Sequence, residues 1–263
     1  MTAPFVTTKV EGWVGTVTLN RPDVHNAFNA DVIAQLHAAF RQMAADGNVR
    51  AVLLTAEGKS FSAGGDLGWM KVAAGYTHPE NVADAQKLGD MLHALATLPK
   101  LTIALVQGAA FGGGVGLAAA CDVALGVKEA VFSLSETRLG LIPAVISPYV
   151  LQAIGARAAR RYFLTAERFD AATAYRLGLL SEVVDTAADL RPAADRILKA
   201  LSACAPGAVA DAKALIGRIA DRAIDGTLVA ETARVIADRR ATPEAKEGLS
   251  AFLEKRKPSW EAA

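Results

Sequence analysis

The sequence predicts an α/β fold built on parallel strands, and three observations carry that prediction. Ala51–Leu54 and Leu101–Val106 are apolar, partly β-branched runs, too apolar to own a wet face, as in strands covered on both sides. Each leads into a glycine-rich turn and a helix start, FSAGGDL at 61–67 and FGGGVGL at 111–117. Helical stripes lie between the strands, the alternation expected of right-handed crossovers. The pattern by itself leaves open which α/β fold this is.

In chain order, residues 5–10 and 13–19 around Gly12 predict two short strands and a turn. Asn20-Arg21-Pro22-Asp23 ends them. Asn29 is the expected N-cap of a helix with Val32, Leu36, Phe40 and Met43 on one face. The next helix is expected from about Glu80 to Leu98, closed by Pro99, with Val82, Ala85, Leu88, Leu92 and Leu95 as its stripe. Val123–Val127 and Ala130–Phe132 predict short strands, and Ser135-Glu136-Thr137 leads into Leu139–Pro143. From Ser147 the signal is helical apart from a last strand near Ser181–Val184. Two regions are expected, a core over 1–190 and a helical part over 191–263. In the latter, Leu228, Thr232, Val235, Leu249, Phe252 and Leu253 form stripes that need a partner.

The 263 residues suffice for one large core. A net charge of +1 gives no reason to expect nucleic acid or an acidic membrane surface. Two cysteines, Cys121 and Cys204, cannot build a disulfide framework. The opening MTAPFVTTKV has neither a secretion-signal core nor an Arg-rich leader, so a cytoplasmic location is expected. His37, His78 and His93 have no ligand at metal spacing, and no metal site is expected.

Residues 101–122, LTIALVQGAAFGGGVGLAAACD, are the centre of the chain. A strand, a glycine turn and a helix start present backbone N–H groups to something anionic or becoming anionic. A membrane span is the first competing reading, since Leu101–Ala120 carries no charge, but five glycines and Gln107 argue against it. Dinucleotide binding is the second: Gly114-Val115-Gly116-Leu117-Ala118-Ala119 fits G-x-G-x-x-A, with Glu136 about twenty residues on. Tight helix–strand packing without a ligand is the third.

Four segments together resemble the enoyl-CoA hydratase/isomerase (crotonase) superfamily: Asn20-Arg21-Pro22 with Asn26-Ala27, FSAGGDL, VQGAAFGGGVGLAAACD and FSLSETRLGLIP. LIPAVISPYVLQAIGARAARRYFLTAERFDA and GLSAFLEKRKPSW resemble its methylglutaconyl-CoA hydratases in particular. The resemblance implies a crotonase-like superhelical core of repeated ββα turns and a C-terminal helical region that packs in trimers, often paired into hexamers. It also implies that one backbone N–H from each glycine segment, those of Ala63 and Gly113, holds the acyl thioester oxygen. Two such donors stabilise the enolate that forms when the α-carbon gains or loses a proton.

Glu136 matches the family's second catalytic glutamate, and its apolar flanks imply a carboxyl of raised pKa suited to acid/base work. Its alternative is a helix-start glutamate stabilising the first turn. The family's first glutamate falls at Gly116, which cannot hold water. Three readings stay open: Glu136 serves both proton steps, another carboxylate substitutes, or the enzyme is an isomerase needing one glutamate.

By resemblance, His25 to Ala27 border the CoA adenine, and Ala63, Gly64, Gly65 and Asp66 lie along CoA. Lys255 and Lys257, with Arg256 between them, are candidates for its phosphates, or else a solvated basic helix end. Trp69 and Met70 are acyl-pocket candidates that equally suit a core, and Arg138 is a candidate for a distal carboxylate or a structural ion pair. The implied activity is addition or removal of water across C2=C3 of an enoyl-CoA, 3-methylglutaconyl-CoA first. No cofactor is expected beyond the CoA that is part of the substrate. A non-catalytic CoA- or RNA-binding protein is the competing class; near-neutral charge and no aromatic-basic patch count against RNA.

Overall fold

The computed structural model describes residues 4–261. Its contacts divide into two units, one ending at Ala194 and one starting at Asp195. In the first, β1 (Val6–Glu11) and β2 (Val14–Leu19) form an antiparallel hairpin turned at Gly12. A 3-10 turn at Pro22–Val24 leads to α1 (Ala30–Ala45), and Asn29 Oδ1 caps it by accepting from the Val32 N–H at 2.9 Å. Val32, Leu36, Phe40 and Met43 are buried on one face, as the spacing requires. Lys100 Nζ closes the far end on the Met43 and Asp46 carbonyls, where a cation suits the helix dipole.

Then follow β3 (Ala51–Ala56), β4 (Ser60–Ser62), α2 (Leu67–Ala73) and α3 (His78–Ala96). Next come β5 (Leu101–Val106), β6 (Ala109–Phe111) and α4 (Gly113–Ala120), then β7 (Val123–Val127), β8 (Val131–Ser133), a 3-10 helix at Ser135–Leu139 and α5 (Ser147–Thr165). The last pieces of this unit are β9 (Phe169–Asp170), α6 (Ala171–Leu177), β10 (Glu182–Val184) and the first half of α7 (Ala187–Ser202). One sheet has the order β1-β2-β3-β5-β7-β10 and the other β4-β6-β8-β9. Thus β3–β4, β5–β6 and β7–β8 each give one strand to each sheet and continue into helix. This is a repeated ββα core, and β3, β5 and β7 run parallel. The strands read from the sequence as too apolar for a wet face are the buried ones, Ala51–Leu54 and Thr102–Val106.

One helical stripe differs from expectation. On α3, Leu92 and Leu95 are buried together with Met91, but Ala85 is exposed and Val82 is 54% exposed. Only the second half of the helix contributes to the core; its first half lies open to solvent.

The second unit holds the second half of α7, then α8 (Pro206–Ile219), α9 (Gly226–Ala241) and α10 (Pro243–Leu253). Glu244 accepts from the Gly207 and Ala208 N–H groups at 3.0 and 3.1 Å, capping α8, and pairs with Arg239. Trp260 packs on Gly248 and donates its Nε1–H to the Ala203 carbonyl at 3.2 Å. Leu228 is buried, whereas Ile216, Val229, Leu249, Leu253 and Phe252 (81%) are exposed. Among the described residues no helix is long and apolar enough to cross a membrane.

Candidate active site

A clasp between residues 21–28 and 57–66 builds the first wall. His25 and Asn26 both adopt left-handed φ, 53° and 54°, an uncommon conformation that asparagine tolerates better than most residues. Asn26 is 1% exposed and fully engaged: its Nδ2 donates to the Glu57 and Ser60 carbonyls, and its Oδ1 accepts from the Arg21 N–H. The backbones then interlock. Ala63 N–H donates to His25 O at 2.9 Å, Phe28 N–H to Gly64 O at 2.7 Å, and Asp66 N–H to Phe28 O at 2.7 Å. Arg21 latches the clasp, bonding Asp66 Oδ2 at 3.1 Å and the Ala27 carbonyl at 2.7 Å.

Asp66 also caps α2, accepting from the Gly68 and Trp69 N–H groups. Burial pushes its pKa up, but the Trp69 N–H, Arg21 and the Gly68 N–H outweigh that and hold the carboxyl below its ordinary value. Asp66 is therefore occupied structurally. Ala27 is buried with its carbonyl taken by Arg21, so it frames the wall rather than offering a side chain to a ligand. His25 is exposed, its Nδ1 at 3.1 Å from Ser60 Oγ.

The hydrogen bonds correct one expectation. The Ala63 N–H is already engaged by His25, and the Gly64 N–H reaches Ser62 Oγ at 3.2 Å. Neither is available to a ligand. The N–H of Gly65, the next residue, has no acceptor among the described residues, and neither has that of Gly113 at the first position of α4. The donor positions open to a ligand are thus Gly65 and Gly113. The two glycine segments touch: a Cβ on Gly64, at φ +86°, would lie 3.0 Å from Phe111 O and 3.7 Å from the Gly112 Cα. Behind Gly113 stands the Phe28 ring, 2.7 Å from any Cβ placed there.

Glu136 lies on the 3-10 helix Ser135–Leu139, held at one end by Leu141 N–H on the Glu136 carbonyl and at Thr137 by its Oγ1 donating to Phe163 O. Its Oε1 would be 3.0 Å from a Cβ on Gly112. The carboxyl therefore sits against the glycine turn. Its Oε2 is buried without a partner among the described residues. Burial raises the Glu136 pKa, opposed by the residue's own backbone N–H.

Gly116 faces away from open space, because a Cβ there would collide with buried Ile146, lying 2.9 Å from the Ile146 Cβ. A Cβ on Gly114 would likewise lie 2.8 Å from the Ser62 carbonyl. These contacts correct the dinucleotide reading: both glycines of the G-x-G-x-x-A match serve packing inside α4, and no ligand reaches their backbone from that side. Trp69 and Met70 are half-buried, with Met70 Cε 2.5 Å from a Cβ on Gly65. Arg138 is exposed. Lys255 and Lys257 lie in the second unit, exposed, with Lys257 paired to Glu261 at 3.1 Å. Arg256 between them binds Glu247 through both terminal nitrogens at 2.8 Å, and Glu247 is pulled down to about 2 by Arg256 and the Ser259 N–H. Arg256 is thereby committed to carboxylates of its own unit. No metal-holding cluster occurs among the described residues.

Sequence reasoning did not single out Phe28 or Ile146 as site residues. Both are apolar core residues whose importance lies in what they stand behind, and nothing in their local sequence marks that.

The family model for enoyl-CoA hydratase/isomerase matches residues 9–263. The crystal structure of an enoyl-CoA hydratase from Shewanella pealeana superposes with a TM-score of 0.95 at 43% identity, covering 97% of this chain and 96% of that one. An enoyl-CoA hydratase/isomerase from Marinobacter aquaeolei gives 0.91 at 34% identity, covering 98% and 100%. An enoyl-CoA hydratase of Alternaria alternata is 33% identical over 254 residues, 94% of this chain and 81% of that protein.

Proposed function

This chain belongs to the enoyl-CoA hydratase/isomerase family, and from that premise we propose that it hydrates an enoyl-CoA thioester with Glu136 as its single acid/base group. One observation carries the reading. Glu136 has a carboxyl oxygen that is buried and unpartnered among the described residues, beside the glycine turn that carries the open Gly113 N–H and touches the segment carrying that of Gly65. The Gly65 and Gly113 N–H groups hold the thioester oxygen. The Glu136 carboxylate takes a proton from water as the water oxygen bonds to C3. The C2=C3 electron pair moves toward the thioester, whose oxygen becomes an enolate. Protonated Glu136 then returns the proton to C2. One carboxyl thus serves both steps from one face, and burial, which raises its pKa, favours its holding the proton it must return to C2.

For the acyl group we take 3-methylglutaconyl-CoA, on the likeness of LIPAVISPYV and GLSAFLEKRKPSW to hydratases of that substrate. Arg138, exposed and without an ion-pair partner among the described residues, suits its distal carboxylate. The test is a panel of enoyl-CoA thioesters followed by loss of enoyl-thioester absorbance. Turnover of 3-methylglutaconyl-CoA well above crotonyl-CoA is expected; equal or reversed rates overturn the choice of acyl group.

A second reading, isomerisation of a 3-enoyl-CoA to a 2-enoyl-CoA, is favoured by the absence of any side chain at Gly116, where the family's other glutamate falls. One carboxyl would move a proton between C2 and C4. Supplying a 3-enoyl-CoA and watching for conjugated product, with and without formation of hydroxyacyl-CoA, separates the two.

A further inference from the structure

Trp69 carries a hydrogen-bond donor that none of the described residues uses. Its indole Nε1 is buried and has no partner among the described residues, whereas buried polar groups are nearly always paired. An indole N–H can only donate, so what it lacks is an acceptor. Its place on α2 says where that acceptor would be. Leu67, Gly68, Lys71 and Val72 are exposed, while Asp66, Trp69, Met70 and Ala73 are half-buried. Steps of three and four residues put the second set on one helix face, turned toward protein. Met70 on that face presses against Gly65, whose N–H has no acceptor. The face that bears Trp69 is therefore the face that abuts the thioester-oxygen site. It is also rigidly held, since Asp66 caps the first turn and is itself latched by Arg21, and a rigid frame is what a precise contact needs.

We propose that Trp69 is a specificity-determining residue whose indole N–H donates to a carboxylate on the acyl group, favouring dicarboxylic monothioesters over plain hydrocarbon thioesters. This rests on the enoyl-CoA reading above and names a buried group that acts on the acyl carboxylate in addition to the exposed Arg138. A carboxylate is the strongest acceptor an acyl chain can offer. A site built around a buried donor also rejects the analogue that leaves that donor unpaired.

The test uses saturated thioesters, which bind without reacting. Glutaryl-CoA and valeryl-CoA have the same chain length and differ in whether it ends in a carboxylate or a methyl. By titration calorimetry, the wild-type protein should bind glutaryl-CoA more tightly. Trp69→Phe should weaken glutaryl-CoA by about 10- to 100-fold and leave valeryl-CoA within about threefold. Equal losses for both thioesters would assign Trp69 to packing and overturn the proposal, as would an unchanged glutaryl-CoA affinity. Wild-type protein without a preference overturns it regardless of how the variant folds. If neither thioester binds wild-type protein, the enoyl-CoA reading itself fails.

Discussion

Ile146 stands where a side chain on Gly116 would have to go: a Cβ there would come within 2.9 Å of the Ile146 Cβ and nearer still to its γ-methyl. The β-carbon of a buried isoleucine cannot swing aside. Gly116→Glu is therefore expected to destabilise the chain by roughly 1–3 kcal/mol or more and to bring no gain in crotonyl-CoA hydration. Gly116→Glu with Ile146→Gly removes both the γ-methyl and the β-carbon and should recover stability relative to the single variant. Thermal unfolding of the two proteins checks this; a single variant as stable as wild type would show that Ile146 yields.

Glu136→Gln keeps the side chain's shape and removes its proton chemistry. Turnover should fall by at least about 10²–10⁴-fold, while affinity for a saturated CoA thioester stays near the wild-type value. The pH–rate profile supplies a second check. Because burial raises the Glu136 pKa above its ordinary 4.5, the limb on which activity rises with ionisation should have its midpoint above 4.5. That limb should be missing from any residual activity of the variant.

The same raised pKa has a stability consequence of definite sign. Below 4.5 the carboxyl is neutral whether folded or unfolded, and its burial carries no charge penalty. As pH rises through the folded-state pKa the buried form must ionise, and that advantage is lost. Glu136→Gln should therefore melt higher than wild type at pH 7–8, with the difference fading as pH is lowered past 4.5. A variant less stable at every pH would contradict the unpartnered state of Oε2.

Gly65 offers a clean contrast between space and hydrogen bonding. A Cβ there meets only the end of the Met70 side chain, which can move, so Gly65→Ala should retain activity within about tenfold, given an overpacking cost near 1 kcal/mol. Gly65→Pro lacks the N–H and should lose about 10²–10³-fold in turnover. Gly113 is a poorer probe, because any larger residue strikes Phe28 and confuses a catalytic loss with a packing one. Equal activity of the Ala and Pro variants would remove Gly65 from the oxyanion site.

The exposed Leu249, Phe252 and Leu253 on α10 call for a cover, and the implied assembly is a trimer or a dimer of trimers. Sedimentation should report that mass for wild type and a smaller species for Phe252→Asp. Monomeric wild-type protein at micromolar concentration would refute the assembly.

Legibility in the sequence followed the range of the interactions involved. The Asn29 cap and the buried face of α1 lie within one helix, and local spacing revealed both. The ββα repeat showed itself as a doubled strand–glycine–helix pattern. Which N–H remains open did not. Ala63 and Gly65 stand in the same motif, and only pairing with His25 and Phe28, some forty positions earlier, takes up one and leaves the other. Ile146 closing over Gly116 is likewise a tertiary contact with no local mark. On α3, periodicity reported a continuous apolar stripe, yet Val82 lies open, because a stripe says which face is sticky and not how far along it a partner extends.

The two donors open to a thioester belong to the main chain, whereas Glu136 is one side chain on a short 3-10 helix. Mutation acts on these two kinds of group unequally. No exchange of one side chain for another, proline apart, deletes a backbone N–H, but a single base change in one codon can abolish a carboxylate. By the mechanism proposed above, a descendant that lost the carboxylate at 136 would still grip thioesters without converting them. Such a chain is a short genetic step from a carrier or a competitor of the enzyme it came from.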